Sequence, residues 1–349
     1  MKRYAVLIQQ PYQIAIQEAS VETPGAGEVL VQTQFSAISA GTELLVYRGQ
    51  IPAEMQVDTT ISALAGTFQY PLKYGYTVVG KVIALGARVD PDLLGRRVFC
   101  FHPHETAFLA ASEDLVFLPD DLDARDALFL PNMETAVNFL MDGRPLIGER
   151  VVVFGEGIVG LLTTALLAQF PLAALAGVDP YALRRETALT LGADAVYDPQ
   201  DADLTATVQA WLMSRSQGEA ADLVYELSGN PQALNAAIQI AGFHARVIVG
   251  SWYGTKPATL DLGGDFHRSR IRLISSQVSS LAPECSGRWT TARRLEVALR
   301  MLNILKPSRL ITHTFPFDQA AQAFDLLNTR PEQALQVVLT YQENTKEVA

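Results

Sequence analysis

Two stretches of this chain carry residue types that can do chemistry at the spacing they have. The first is Gly155-Glu156-Gly157-Ile158-Val159-Gly160, followed downstream by Asp179. A glycine at 155 permits a tight turn, one at 157 lets backbone approach a pyrophosphate, and one at 160 lets a helix sit close on the preceding strand. The free N–H groups of that helix start attract phosphate, and Asp179 stands where a carboxylate takes ribose hydroxyls. The chemistry predicted is dinucleotide binding, with Gly155, Gly157, Ile158, Val159, Gly160 and Asp179 as contacts. The plain alternative is a tight turn that binds nothing. The second stretch is Phe101-His102-Pro103-His104-Glu105. Histidine titrates near neutrality, so His102 or His104 can serve as acid or base. On an extended backbone the two share one face. With Glu105 or Glu134 they form a possible metal set, and the alternative is a solvated loop.

The elements around these residues must position them. Val151-Val152-Val153-Phe154 reads as a buried parallel strand leading into the glycine turn. Helices are predicted over 182–191, 205–215 and 232–241. Strands are predicted over 222–227 and 246–249, ending at Ser228 and Gly250, with a further strand at 271–275. Alternating strands and helices with short loops mean a doubly wound parallel sheet. In such sheets the ligand lies at the carboxyl ends of the strands, which adds Ser228 and Gly250 as cofactor contacts. A helix is predicted over 126–141. Residues 1–120 are different. Short runs at 4–8, 14–18, 29–36, 78–85 and 98–101, punctuated by glycines, predict a β-rich, partly open barrel. Residues 47–70 are weakly patterned and predict a mobile loop with a short helix. A helix at 291–305, a helix at 319–328 and a strand at 336–341 follow, and that last strand fits back into the β-rich part. The polar tail 342–349 is expected to fray.

Composition narrows the classes. The chain has 349 residues, a formal net charge of -10, 49% apolar and 18% charged residues. That is a globular profile without a basic surface for nucleic acid. Cys100 and Cys285 are the two cysteines, too few for a disulfide framework or a four-cysteine zinc lobe. The N-terminus reads as a first strand rather than a signal peptide, and no apolar run is long enough to span a membrane. A cytoplasmic enzyme with a small-molecule substrate, and no membrane or nucleic-acid partner, is the expectation.

Together, GEGIVG, Asp179, Leu191-Gly192-Ala193-Asp194, the strand Asp222–Leu227 with Ser228-Gly229, and residues 311–324 (ITHTFPFDQAAQAF) resemble the medium-chain dehydrogenase/reductase superfamily. The resemblance covers nearly the whole chain. It implies an α/β fold, with a doubly wound Rossmann domain over 124–289 and a β-rich GroES-like catalytic domain over 1–123 and 290–349. Within the superfamily, Ser39-Ala40-Gly41-Thr42-Glu43, Ser275-Ser276-Gln277-Val278 and Gly287-Arg288-Trp289 are most similar to a branch containing bacteriochlorophyllide hydroxyethyl dehydrogenases.

The departures from the zinc-dependent pattern decide the chemistry. Where zinc relatives carry a Cys-x-Ser/Thr-Asp motif, this chain has Ala40-Gly41-Thr42-Glu43. Where they carry Gly-His-Glu it has Gly75-Tyr76-Thr77, and the third ligand position corresponds to Pro131. The resemblance therefore implies a zinc-independent member, in which a hydrogen-bond donor replaces the metal. Tyr76 stands at a ligand position and is the first candidate. Thr42 matches the hydroxyl that relays the substrate proton. His102 and His104 fall on a loop near the site, Glu134 precedes Thr135, and Thr135 is placed near the nicotinamide. Glu43 is expected to pair with Arg48 or Arg97, and His313 to be structural. Trp252, Tyr253 and Trp289 are candidates for the substrate wall.

Asp179 favours NAD(H), because a 2′-phosphate meets its charge, while Arg184 and Arg185 leave NADP(H) as the alternative. The reaction expected is interconversion of a secondary alcohol and its ketone, and the branch resemblance implies a bulky substrate. The alternatives are an NADPH-dependent enoyl or quinone reductase and a dinucleotide-binding protein without turnover. A homodimer through the edge of the cofactor-domain sheet is the family expectation.

Overall fold

A computed structural model describes residues 2–20, 22–58, 61–215 and 220–341. The expected frayed tail, 342–349, lies outside the described residues. Contacts divide the chain into two compact units, Met1–Leu130 with Lys306–Ala349, and Pro131–Leu305.

The first unit is β-rich, as alternating apolar runs with glycine punctuation dictate. Lys2–Gln10 and Gln13–Ser20 form an antiparallel hairpin. Its seven-stranded sheet runs in the order Ile311–Pro316, Gln336–Thr340, Glu28–Ile38, Val78–Leu85, Arg97–Cys100, Leu115–Phe117, and Ala107–Ala111 also pairs with Glu28–Ile38. The last strand pairs antiparallel with Glu28–Ile38, so the C-terminal segment completes the sheet begun near the N-terminus. Val29, Val31, Val78, Val98 and Phe108 form one core cluster. A second joins Ile38 and Leu44 to Phe324, Val337 and Leu339.

Three stretches here depart from the sequence expectation. Helix Ala40–Tyr47, for which no element was expected, follows the strand ending at Ile38. Strands Ala107–Ala111 and Leu115–Phe117 were too short to declare a period. Within 47–70 the structure has a 3₁₀ turn at Ser62–Leu64, and Ile51, Leu64 and Phe68 are buried with Leu72, so burial anchors this stretch.

The second unit is a six-stranded parallel sheet in the order Ala195–Tyr197, Ala174–Val178, Arg150–Phe154, Ala221–Glu226, Ala241–Val249, Arg272–Ser275. In sequence order that is 3-2-1-4-5-6, the doubly wound dinucleotide-binding arrangement. Its central strands are buried on both faces, which is why they read as continuous apolar runs. The helix expected over 126–141 is split into Ala124–Ala127 and Leu130–Gly143. Pro131 is the physical cause, since its ring clashes with the carbonyl four residues earlier. Helix Thr291–Leu305 groups with this unit, whereas the sequence expectation placed everything from 290 with the first. Buried Arg294 is the tie. Its guanidinium donates to Glu134 Oε1 at 3.0 and 3.1 Å, to Asn138 Oδ1 at 2.6 Å and to the Val278 carbonyl at 2.5 Å.

Candidate functional site

In the second unit, strand Arg150–Phe154 ends in Gly155, which has φ +90. A Cβ there would stand 2.5 Å from Ser228 Cα, so only glycine lets the turns after two neighbouring strands touch. A Cβ on Gly160 would lie 1.9 Å from the Gly155 carbonyl oxygen, and one on Gly157 would meet nothing within 4 Å. Gly160 thus serves packing, and Gly157 leaves open space. Gly157 is also the N-cap of helix Ile158–Leu167 and brings no side-chain cap, so the helix's first N–H groups keep their capacity for an anion. Ile158 and Val159 are half-buried in its first turn. A pyrophosphate fits this cradle.

Asp179 ends the next strand and is buried. Its carboxylate accepts the N–H of Glu156 and the N–H of Tyr181, both at 2.9 Å, with Arg184 at 3.6 Å. A carboxylate offers about four acceptor sites, so ribose hydroxyls still have room. Burial raises its pKa and the Arg184 charge opposes this. Ser228 is exposed, its hydroxyl and N–H both given to Glu226 Oε1. Gly250 is required sterically, because a Cβ would meet Phe139 at 2.3 Å. Thr135 donates to the Pro131 carbonyl at 2.8 Å. Glu134 is held by Arg294 in an ion pair that ties two helices, and burial raises its pKa against that charge.

Sequence reasoning missed two acids here. Glu226 is fully buried at a strand end and accepts from Ser228 and from the Tyr253 hydroxyl. Glu156 is fully buried beneath the glycine turn, accepts the Thr164 hydroxyl at 2.8 Å, and occupies space that Gly177 leaves free. Burial pushes its pKa up to about 8. An acid inside the glycine fingerprint was the available signal.

In the first unit, hydroxyl groups converge at the start of helix Ala40–Tyr47. The Tyr76 hydroxyl is 2.5 Å from Ser39 Oγ, and the Ser39 and Thr42 hydroxyls both favour its ionised form. Burial outweighs them and pushes the phenol up to about 12. Tyr76 is therefore a protonated donor at neutral pH. Thr42 is half-buried beside it. Ser39, absent from the sequence candidates, supplies the phenol's partner.

His104 is fully buried. Its Nδ1 is 2.8 Å from Ser36 Oγ and its Nε2 2.9 Å from Glu43 Oε2. His102 instead stacks on Phe108, ring centroids 3.7 Å apart, and burial pushes its pKa down to about 3, so it is a neutral core residue. The common face expected for His102 and His104 does not form: the His102 ring stacks on Phe108, whereas the His104 ring lies between Ser36 and Glu43. The solvated-loop reading fails on the same burial. Glu105 is buried against Lys73 and Arg3. With these groups engaged, the His102, His104, Glu105 metal set has no basis. Glu43 pairs with His104 rather than an arginine, since Arg48 donates to Asn328 and Arg97 to the Asp120 carbonyl. His313 is half-buried on an edge strand against Thr312, and Arg293 lies over the Trp289 ring.

The sequence profile of the zinc-binding dehydrogenase family matches residues 159–295. Over 372 residues the chain is 24% identical to the starvation-sensing protein RspB of Escherichia coli K12, covering 97% of this chain and 99% of that protein. It is 25% identical over 335 residues to the D-guloside 3-dehydrogenase of the same organism, covering 90% and 93%. The fold superposes with a TM-score of 0.78 on an alcohol dehydrogenase from E. coli CFT073 complexed with NADH, 21% identical and covering 97% of this chain and 99% of that one. The chain is an oxidoreductase, similar over most of its length to named dehydrogenases, with the zinc-binding dehydrogenase match confined to residues 159–295. The bacteriochlorophyllide likeness draws no support from these relatives.

The positions that the family resemblance assigns to zinc ligands carry other residue types in this dehydrogenase. Ala40 and Pro131 have no ligating side-chain atom, and the Tyr76 phenol stays protonated against Ser39. Among the described residues, no group of three or more His, Cys, Asp or Glu is arranged to hold a metal ion. The residues present do not fit a catalytic zinc. No helix among the described residues is long and apolar enough to cross a membrane.

Proposed function

We propose that this dehydrogenase interconverts a secondary alcohol and its ketone without zinc, using NAD(H). The observation that carries the reading is the hydroxyl cluster of Tyr76, Ser39 and Thr42, at the positions where zinc relatives hold metal and relay hydroxyl. The nicotinamide supplies or takes the hydride when bound. The protein must orient the partners and handle the proton. Ser39 can donate to the phenol oxygen, which frees the Tyr76 O–H for the substrate oxygen. In ketone reduction Tyr76 then gives its proton to the developing alkoxide, the Ser39 and Thr42 hydroxyls hydrogen-bond the phenolate so formed, and a proton from solvent water restores the phenol. The helix start beside them favours that negative charge. In the second unit Gly155, Gly157 and Gly160 cradle the pyrophosphate, and Asp179 takes the ribose hydroxyls.

Support for an alcohol rather than an alkene substrate comes from relatives named as dehydrogenases of hydroxyl-bearing sugars, such as D-guloside 3-dehydrogenase and D-xylulose reductase. A panel of xylitol, D-sorbitol, 2,3-butanediol, methyl glucosides and the bulkier 1-phenylethanol, with a simple enone as counter-case, tests the reaction. Turnover on the enone alone contradicts the reading.

Asp179 carries the cofactor choice. Fluorescence titration is expected to give NADH a Kd at least about tenfold below that of NADPH, since a 2′-phosphate brought to a buried carboxylate is repelled. Asp179→Ser should narrow that ratio, with Arg184 left free for the phosphate. Tighter binding of NADPH by the wild type would overturn the assignment.

A further inference from the structure

The first unit contains a buried polar chain that leads up to the proposed proton donor. The Tyr341 hydroxyl lies 2.7 Å from Ser36 Oγ, and Ser36 Oγ lies 2.8 Å from His104 Nδ1. His104 Nε2 meets Glu43 Oε2 at 2.9 Å, and Glu43 Oε1 accepts the Ser39 backbone N–H at 2.8 Å. Ser39 Oγ then meets the Tyr76 hydroxyl at 2.5 Å. Glu43 is 1% and His104 0% exposed, so neither spends its hydrogen bonds on solvent.

Each link has a physical reason. Ser39 is the N-cap of helix Ala40–Tyr47, where the side-chain oxygen normally caps the helix N–H groups. Here it makes no such cap, because its hydroxyl faces Tyr76. Glu43 secures the residue from the other side by reaching back to its backbone N–H, as in a capping box. A buried carboxylate holding one backbone donor needs a further partner. His104 provides it, and Ser36, backed by Tyr341, fixes the ring through its other nitrogen.

The same imidazole also lies against Gly75, the residue before Tyr76. Gly75 has φ +113, and a Cβ there would stand 2.6 Å from His104 Nε2. The ring thus lies on the backbone just before Tyr76, in space only glycine leaves. The phenol hydroxyl is located through Ser39 and its backbone through Gly75, and both are set by one buried pair.

We infer that Glu43 and His104 are positioning residues for Tyr76, holding its hydroxyl where the substrate oxygen must be met. Neither touches substrate. The inference rests on the proposed role of Tyr76, and its test separates the two. A cycle of wild type, Glu43→Ala, Tyr76→Phe and the double variant is assayed with the most active alcohol of the panel, and NADH binding by the second unit counts intact protein. Glu43→Ala should lower kcat about tenfold, the scale on which small misplacements of a reacting group act. Glu43→Gln should restore most of it, since the amide can accept from Ser39 and donate to an imidazole nitrogen. In the Tyr76→Phe background Glu43→Ala should cost nothing more. An equal factor in both backgrounds, or no loss in either, overturns the inference. A crystal structure of Glu43→Ala is read independently of turnover. Tyr76 and Ser39 hydroxyls more than 3.5 Å apart support the coupling, and an unchanged contact overturns it. Full turnover by Tyr76→Phe would remove the donor role, and the crystal structure would still decide whether Glu43 places that side chain.

Discussion

Replacing Tyr76 by Phe is expected to lower kcat for ketone reduction about a hundredfold while KM and NADH binding change little. The substitution keeps the ring that packs edge-on against Tyr74 and removes only the hydroxyl. A single preorganised donor to a developing oxyanion is worth about 10²–10³ in kcat, because it acts mainly on the transition state. The pH behaviour follows from the phenol's position near 12. The group stays protonated through pH 6–10, so in that range the wild-type reduction rate should show no step from Tyr76. Steady-state kinetics of both proteins check the prediction. Retained turnover would mean that the substrate oxygen is met by another group.

A second large effect is expected at Glu156, on stability rather than turnover. Its folded-state pKa is raised from 4.5 to about 8 by burial. The sign follows from proton counting. Between those values the folded chain binds a proton that the unfolded chain has released, so raising the pH favours unfolding. Stability is lost progressively from about pH 4.5 to about pH 8 and then levels off. At pH 7 that costs on the order of 3 kcal/mol relative to a group that stays neutral. Glu156→Gln keeps the shape, can still accept from Thr164, and never ionises. The variant should therefore unfold at a higher temperature than wild type near neutrality, with the gap closing toward pH 5. Calorimetry from pH 5 to 8.5 measures this, and parallel curves for the two proteins would contradict it. The comparison cancels Asp142 and Glu134, whose pKa values burial also raises.

The cofactor half was legible because its determinants are local. Gly155, Gly157 and Gly160 act within one turn, and Asp179 follows one helix and one strand later. The apolar run before them is a strand buried on both faces, which periodicity detects without knowing its neighbours. The hydroxyl cluster was only half legible. Tyr76 and Thr42 were found by position in the family pattern, whereas Ser39 had no signal of its own. Glu43 and His104 are 61 residues apart. Their meeting depends on strand register, with the bridge between Ala5 and Glu105 and the pairing of Ala107–Ala111 on Glu28–Ile38 bringing that loop over the helix. Nothing at either residue encodes it. The two-residue spacing of His102 and His104 misled for a related reason, since the partners that take the two rings, Phe108 for one and Ser36 with Glu43 for the other, come from different parts of the chain. Glu156 was passed over because a fingerprint fixes attention on its glycines, and burial of the residue between them comes from Thr164 and Gly177 on other elements.

In the proposed reaction hydroxyl groups, with Tyr76 foremost, do the work that zinc does in relatives. Metal content and turnover of the purified dehydrogenase are measured before and after exhaustive chelation. Far less than one zinc per chain and the same kcat after chelation are expected. Stoichiometric zinc whose removal abolishes turnover, and whose return restores it, would overturn the proposal.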